Sequence, residues 1–226
     1  LARTRYTPYY LHSRGTANTL HGSGSLSSQP PAGDEPPDQY VYDPRNPVPT
    51  RGGALLGWQA ALPAGAYDQR ILEERYDVLV YTTPVLEQDL ELTGPIQVNL
   101  WAASDAPDTD FTAKLVDVDP DGYARNIQDG ILRASFRQPG GRADPLVPGE
   151  PVLFPIDLAA TSNVFKAGHS LRLEISSSNF PRFDRNLNTG SLSAASSELR
   201  LARQTVLHDA AHPSHIVLPV IPRPGQ

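Results

Sequence analysis

Apolar and polar positions alternate with a period of two along much of this chain. Between Pro95 and Ala103, Ile96, Val98, Leu100 and Ala102 fall on one side, and Gln97, Asn99 and Trp101 on the other. That pattern predicts a half-buried antiparallel strand over 95–103. Residues 111–118 predict a second strand, led by Phe111, Ala113 and Leu115. Asp119-Pro120-Asp121-Gly122 then reads as a turn, because proline presets φ and glycine accepts positive φ. Two short strands are predicted over 123–128 and 131–137, on either side of Asp129-Gly130. Over 152–158, Val152, Phe154, Ile156 and Leu158 share a face; Pro155 cannot donate to a ladder, which predicts an edge position. Over 169–177, Leu171, Leu173 and Ile175 are expected to point inward, with Arg172 and Glu174 outward. Stretches 77–83, 199–207 and 215–221 add further strands. Thr161-Ser162-Asn163 predicts a single helical turn, since such residues cap helix starts.

About ten short strands with turn punctuation and no long helix predict an all-β fold: a sandwich, jelly roll or barrel. A jelly-roll β-sandwich over residues 61–226 is the expected architecture. The first 60 residues differ. Residues 21–37 are rich in Gly, Ser and Pro, and 30–49 hold seven Pro. A long irregular segment of the same domain is expected there, with brief strands near 7–11 and 39–42. Tyr6, Tyr9, Tyr10, Tyr40 and Tyr42 give it apolar anchors, so it should dock on the sandwich or on a neighbour.

Composition narrows the function. The chain has 226 residues, enough to bury about 70% of its unfolded surface in one core. It has no Cys, which excludes a disulfide framework, a thiolate metal site and a Cys nucleophile. Either redox compartment suits such a chain; the reading leans to the cytoplasm. Formal charge is −6, which disfavours nucleic acid as a partner. No stretch approaches the apolar length of a membrane span. There is no Met, and the chain opens Leu1-Ala2-Arg3, so a processed chain or a domain separated from a longer one is expected.

Candidate chemistry is sparse. A nucleophile elbow needs Gly-x-Ser-x-Gly, because the Ser sits on a strained turn. Gly168-His169-Ser170-Leu171-Arg172 comes nearest, but it lacks the second Gly and leads into a strand. No catalytic residue is therefore assigned. His208, His212 and His215 have the spacing of ligands on one helical face, but Pro213 argues against a helix, and hydrogen-bonded loop histidines are expected. Asp105, Asp108 and Asp110 form an acidic loop that either binds a cation or bonds nearby backbone N–H groups. No cofactor is expected. Asp184 lies in a loop where local Asp–Arg pairing is the expectation. Trp101 projects from the polar side of its strand, which marks it for a domain interface.

Four segments carry a family resemblance: 108–118 (Asp-Thr-Asp-Phe-Thr-Ala-Lys-Leu-Val-Asp-Val), 162–169, 176–186 (including Asn179-Phe180-Pro181-Arg182-Phe183-Asp184) and 212–219. Together they resemble the C-terminal domain of the X-Pro dipeptidyl-peptidase and cocaine esterase family of α/β-hydrolases. The resemblance implies a galactose-binding-like jelly roll that packs on an upstream α/β-hydrolase domain. The catalytic Ser, Asp and His would lie upstream of residue 1. The parent reaction would be hydrolysis of a small ester, amide or peptide through an acyl-enzyme. The stretch Gly52-Gly53-Ala54-Leu55-Leu56 is similar to the one that approaches the family's pocket. Leu55, Leu56 and Trp58 are thus implied to border the substrate. Relatives can carry an aromatic directly after the two Leu; here Gly57 stands there, with Trp58 one position later. A homo-oligomer is compatible with this reading. The alternative is a carbohydrate-binding or other ligand-binding β-sandwich using its exposed Trp side chains.

Overall fold

The computed structural model describes residues 1–55, 62–191 and 197–222. Eleven strands and one short helix follow in the order β1 (Arg5–His12), β2 (Ser25–Ser27), β3 (Asp38–Tyr42), α1 (Arg70–Glu73), β4 (Leu79–Thr82), β5 (Leu90–Ser104), β6 (Asp110–Val118), β7 (Ala124–Arg133), β8 (Val152–Phe165), β9 (Ser170–Ser176), β10 (Ala202–Leu207) and β11 (His215–Ile221). A 3-10 turn, Ala134–Phe136, follows β7. The strands join in the order β3-β10-β5-β11-β1-β2-β4-β9-β6-β7, with β8 on β5.

The long strand β5 organises one side. β8 pairs with it from Leu90↔Phe165 to Ala102↔Val152, while β11 and β10 share its opposite edge. On the other side, β9 lies between β4 and β6, and β6 pairs with β7. The apolar faces of both sides meet in one core. Ile96, Val98 and Leu100 of β5, Phe154 and Ile156 of β8, and Leu171, Leu173 and Ile175 of β9 are all buried there. Phe111 of β6 meets Phe154 of β8 with ring centroids 4.7 Å apart, so the two layers touch through aromatic rings. The fold is an all-β sandwich.

Three elements differ from the sequence-based expectations. The stretch 161–163 is not a helical turn; it lies inside β8, where Thr161, Ser162 and Asn163 face Gly94, Thr93 and Leu92 of β5. A cap preference is local and weak, and a twelve-pair ladder overrides it. Asp129-Gly130 is not a turn between two strands, because β7 runs continuously through it. Gly130 is needed for a different reason: a Cβ there would stand 2.1 Å from the Asp157 carbonyl oxygen of β8. Glu174 does not face solvent, and Arg172 is only partly exposed, because α1 and the strand-flanking segment near Gln69 form a further layer over β9.

The first 60 residues contribute ladder strands. β1 runs between β11 and β2, and β3 closes one edge of the sheet against β10. Among the described residues, no helix is long and apolar enough to cross a membrane.

Candidate functional site

Gly52 and Gly53 adopt φ of 70° and 99°, and Gly65 adopts 119°, values that L side chains rarely take. These glycines let the chain close a loop. Gly53 N–H donates to Gly65 O at 2.7 Å, and Gly65 N–H returns to Gly53 O at 3.0 Å. Leu55 N–H also donates to Gly53 O, at 2.9 Å. Leu55 is half-buried within this loop. Leu56 and Trp58 lie outside the described residues.

A polar shelf supports the loop. Arg182 packs under Gly53 and forms an ion pair with Asp129, which also accepts from Asn179 Nδ2 at 2.8 Å. Arg182 N–H donates to Thr50 Oγ1, and Thr50 N–H to Phe180 O, which ties the 176–186 segment to the entry of the loop. Arg182 thus pairs with a carboxylate 53 residues away, in place of the local Asp184 pairing expected from sequence. On the exit side, Asn126 Oδ1 accepts from Tyr67 N–H at 2.7 Å, and Gln69 Nε2 donates to Arg51 O at 2.9 Å.

From Gln69 the network continues inward. Lys114 Nζ donates to Gln69 Oε1 at 2.7 Å and to Glu174 Oε2 at 3.1 Å. Arg172 donates to Glu73 Oε2. Burial pushes the Glu73 carboxyl up, and the adjacent Glu174 charge adds to it, to about 8. Glu73 Oε1 and Glu174 Oε1 are both buried without a hydrogen-bond donor among the described groups, and a proton held by Glu73 supplies one.

The remaining candidates have partners within the chain. Asp108 accepts from Ser135 N–H and Asn186, and Asp110 from Arg133 and Asn186. Asp105 accepts from Arg203 N–H. His212 bonds Asp209, and His215 bonds Pro213 O. Trp101 is half-buried; its ring meets His212 edge-on at 5.2 Å, and its backbone N–H donates to Ser214 Oγ at 2.8 Å.

Sequence reasoning missed a Ser/His/Asp grouping. Asp38 is fully buried and accepts from Ser13 Oγ at 2.7 Å, Ala17 N–H at 2.7 Å, Tyr81 Oη at 2.8 Å and His208 Nε2 at 2.9 Å. A catalytic triad would pass a proton from Ser through His, with Asp behind the His. Here serine and histidine both converge on the carboxylate, and all three side chains are buried. The grouping is a clasp joining β1, β3, β4 and the 208–214 turn. The signal in sequence was only a lone Asp at a strand start.

Fold and site together define a β-sandwich domain whose Gly53–Gly65 hydrogen bonds rest on the Arg182–Asp129 ion pair. The chain belongs to the family described as the X-Pro dipeptidyl-peptidase C-terminal non-catalytic domain, whose model matches residues 1–217. It is 46% identical over 225 residues to cocaine esterase of Rhodococcus sp. (strain MB1 Bresler), covering 99% of this chain and 39% of that protein. It is similar to the crystal structure of an aminopeptidase from a marine sediment archaeon, Thaumarchaeota archaeon, with a TM-score of 0.86, 30% identity, and 98% of this chain against 37% of that one. An α-amino acid ester hydrolase structure matches with a TM-score of 0.83 and 31% identity, over 95% of this chain and 36% of that chain. The chain therefore spans about two fifths of the length of the relatives it matches.

Proposed function

We propose that this chain is the β-domain of a longer serine hydrolase, packs on an α/β-hydrolase domain, and borders that domain's active site. The relatives named above are hydrolases in which the matching part is about two fifths of the whole. The reaction supported is hydrolysis of a small ester, amide or peptide: a serine attacks the carbonyl, histidine carries the proton, and water releases the acyl group. The β-domain's part is positioning and exclusion of water. Leu55, with Leu56 and Trp58 beyond it, would line the substrate's apolar side. Trp101 would lie at a domain interface.

The observation that carries this reading is the loop closed by Gly53 and Gly65 and braced by Arg182 and Asp129. A loop so braced can hold apolar side chains against a pocket that another domain supplies. The test is to assay the 226-residue chain and a longer polypeptide containing it with an activated aryl ester. Turnover that a serine-directed reagent stops is expected in the longer polypeptide alone. Such turnover by the 226-residue chain itself would overturn the reading. So would an unchanged substrate profile in the longer polypeptide carrying Leu55→Ala together with Leu56→Ala.

A further inference from the structure

On the opposite end of β6 from Asp110, three metal-ligating side chains converge that take no part in the loop or its shelf. Asp117 is the penultimate residue of β6, Asp119 opens the turn into β7, and His169 ends the turn between β8 and β9. His169 Nδ1 lies 2.9 Å from Asp117 Oδ1 and 3.4 Å from Asp119 Oδ1. Arg125, paired across the ladder with Asp117, takes the outer oxygens: its Nη2 is 2.7 Å from Asp119 Oδ2 and its Nη1 4.0 Å from Asp117 Oδ2. The two inner Oδ1 atoms are thereby turned toward the imidazole.

One Nδ1–H cannot satisfy both inner oxygens. Asp119 Oδ1 is buried and has no hydrogen-bond donor among the described groups. We propose that Asp117 Oδ1, Asp119 Oδ1 and His169 Nδ1 form a binding site for one divalent transition-metal ion of the zinc type.

The distances suit that ion. Two ligands at about 2.0–2.1 Å from zinc stand roughly 3.0–3.4 Å apart, which is the spacing His169 already has to each carboxylate. The three donor atoms all lie within 4.8 Å of one another. A mixed imidazole and carboxylate set favours zinc-type ions over calcium or magnesium, which prefer oxygen alone. The backbone is fixed on each side. Asp119 N–H donates to Tyr123 O at 2.9 Å, and Leu86 N–H donates to His169 O at 2.7 Å. Arg125 plays the part of an outer partner that orients ligating carboxylates. Asp119 and His169 each keep part of their side chain exposed, which leaves an entry path and room for water in the remaining coordination positions.

The test uses the 226-residue chain, stripped with a chelator and titrated with Zn²⁺ by calorimetry and thermal unfolding. One equivalent is expected to bind with micromolar affinity and to raise the melting temperature. Co²⁺ should give a d–d absorption band of a nitrogen- and oxygen-ligated ion. His169→Gln and Asp119→Asn should each weaken binding at least about tenfold, while Mg²⁺ and Ca²⁺ should not compete. Folding of each variant is checked by circular dichroism; if His169→Gln fails to fold, the turn variant Asp119→Asn decides. Absence of saturable binding at about 1 mM Zn²⁺, a Kd of the weakest ordinary class, would overturn the proposal. Unchanged affinity in Asp119→Asn would overturn it too. Loss of binding in His21→Ala, at the exposed His21–Glu74 pair, would place the ion elsewhere and overturn it as well.

Discussion

Asp38 and His208, 170 residues apart in sequence, meet at 2.9 Å in the interior, and neither exposes its side chain. Burial pushes the Asp38 carboxyl up, but hydrogen bonds from His208, the Ala17 N–H and Ser13 outweigh it and hold the carboxyl below its usual range. A group with a depressed folded pKa stabilises the fold above its unfolded value, and that contribution is lost as pH falls through the folded one. Acid unfolding is therefore expected to steepen below about pH 4. Asp38→Ala leaves His208, Tyr81 and Ser13 without their shared acceptor and should cost about 3–5 kcal/mol in urea unfolding. A loss under about 1 kcal/mol would show that the clasp contributes little.

Glu73 gives the opposite slope. Its pKa, raised to about 8 by burial and by Glu174, means that folding takes up a proton. The stability so gained is complete below the ordinary glutamate value and is lost as pH rises through about 8. The melting temperature should fall from pH 6 to pH 9, by an amount on the order of a few kcal/mol in stability. Glu73→Gln copies the protonated form, still accepts from Arg172, and should flatten that slope. An equal slope in the variant would assign the effect to other groups.

Gly130→Ala should be severely destabilising, by about 2–4 kcal/mol, because its Cβ would meet the Asp157 carbonyl carbon and oxygen of β8. Gly33→Ala is the control: nothing lies within 4 Å of a Cβ there, and a change within about 0.5 kcal/mol is expected. Denaturant midpoints of the two variants make the comparison.

Arg182→Ala removes the brace beneath Gly53 and orphans part of Asp129. Proteolytic nicking between residues 54 and 64 should accelerate by about tenfold or more, while the core strands stay protected. Unchanged nicking would mean that the double Gly53–Gly65 hydrogen bond holds the loop without the shelf.

Alternation made much of the sandwich legible. Strands β5 and β9 bury one face in the central core, so their apolar positions repeat every second residue, whereas β6 also buries Val116 and Val118 in a separate cluster. Glu174 was misread because a polar residue in a strand signals solvent only where nothing covers that face; α1 and Gln69 do cover it. The β8 segment at 161–163 was misread because capping preference is local, whereas its partners at 92–94 lie about seventy residues away. The stretch at Leu55 was singled out by family resemblance alone. Its shelf was not, since Arg182–Asp129, Lys114–Gln69 and Arg172–Glu73 join residues 45 to 99 positions apart.

The pairing of β1 with β11 and of β3 with β10 has a consequence for biosynthesis. At translation rates of 5–20 residues per second, the β3 edge waits roughly ten to thirty seconds for β10 to be made. During that interval the early segment offers unpaired strand edges to any passing chain. Its Pro-, Gly- and Ser-rich spacing between short strands keeps each exposed β-prone stretch brief, which makes the composition of the first 60 residues a safeguard for the nascent polypeptide as much as a feature of the finished fold.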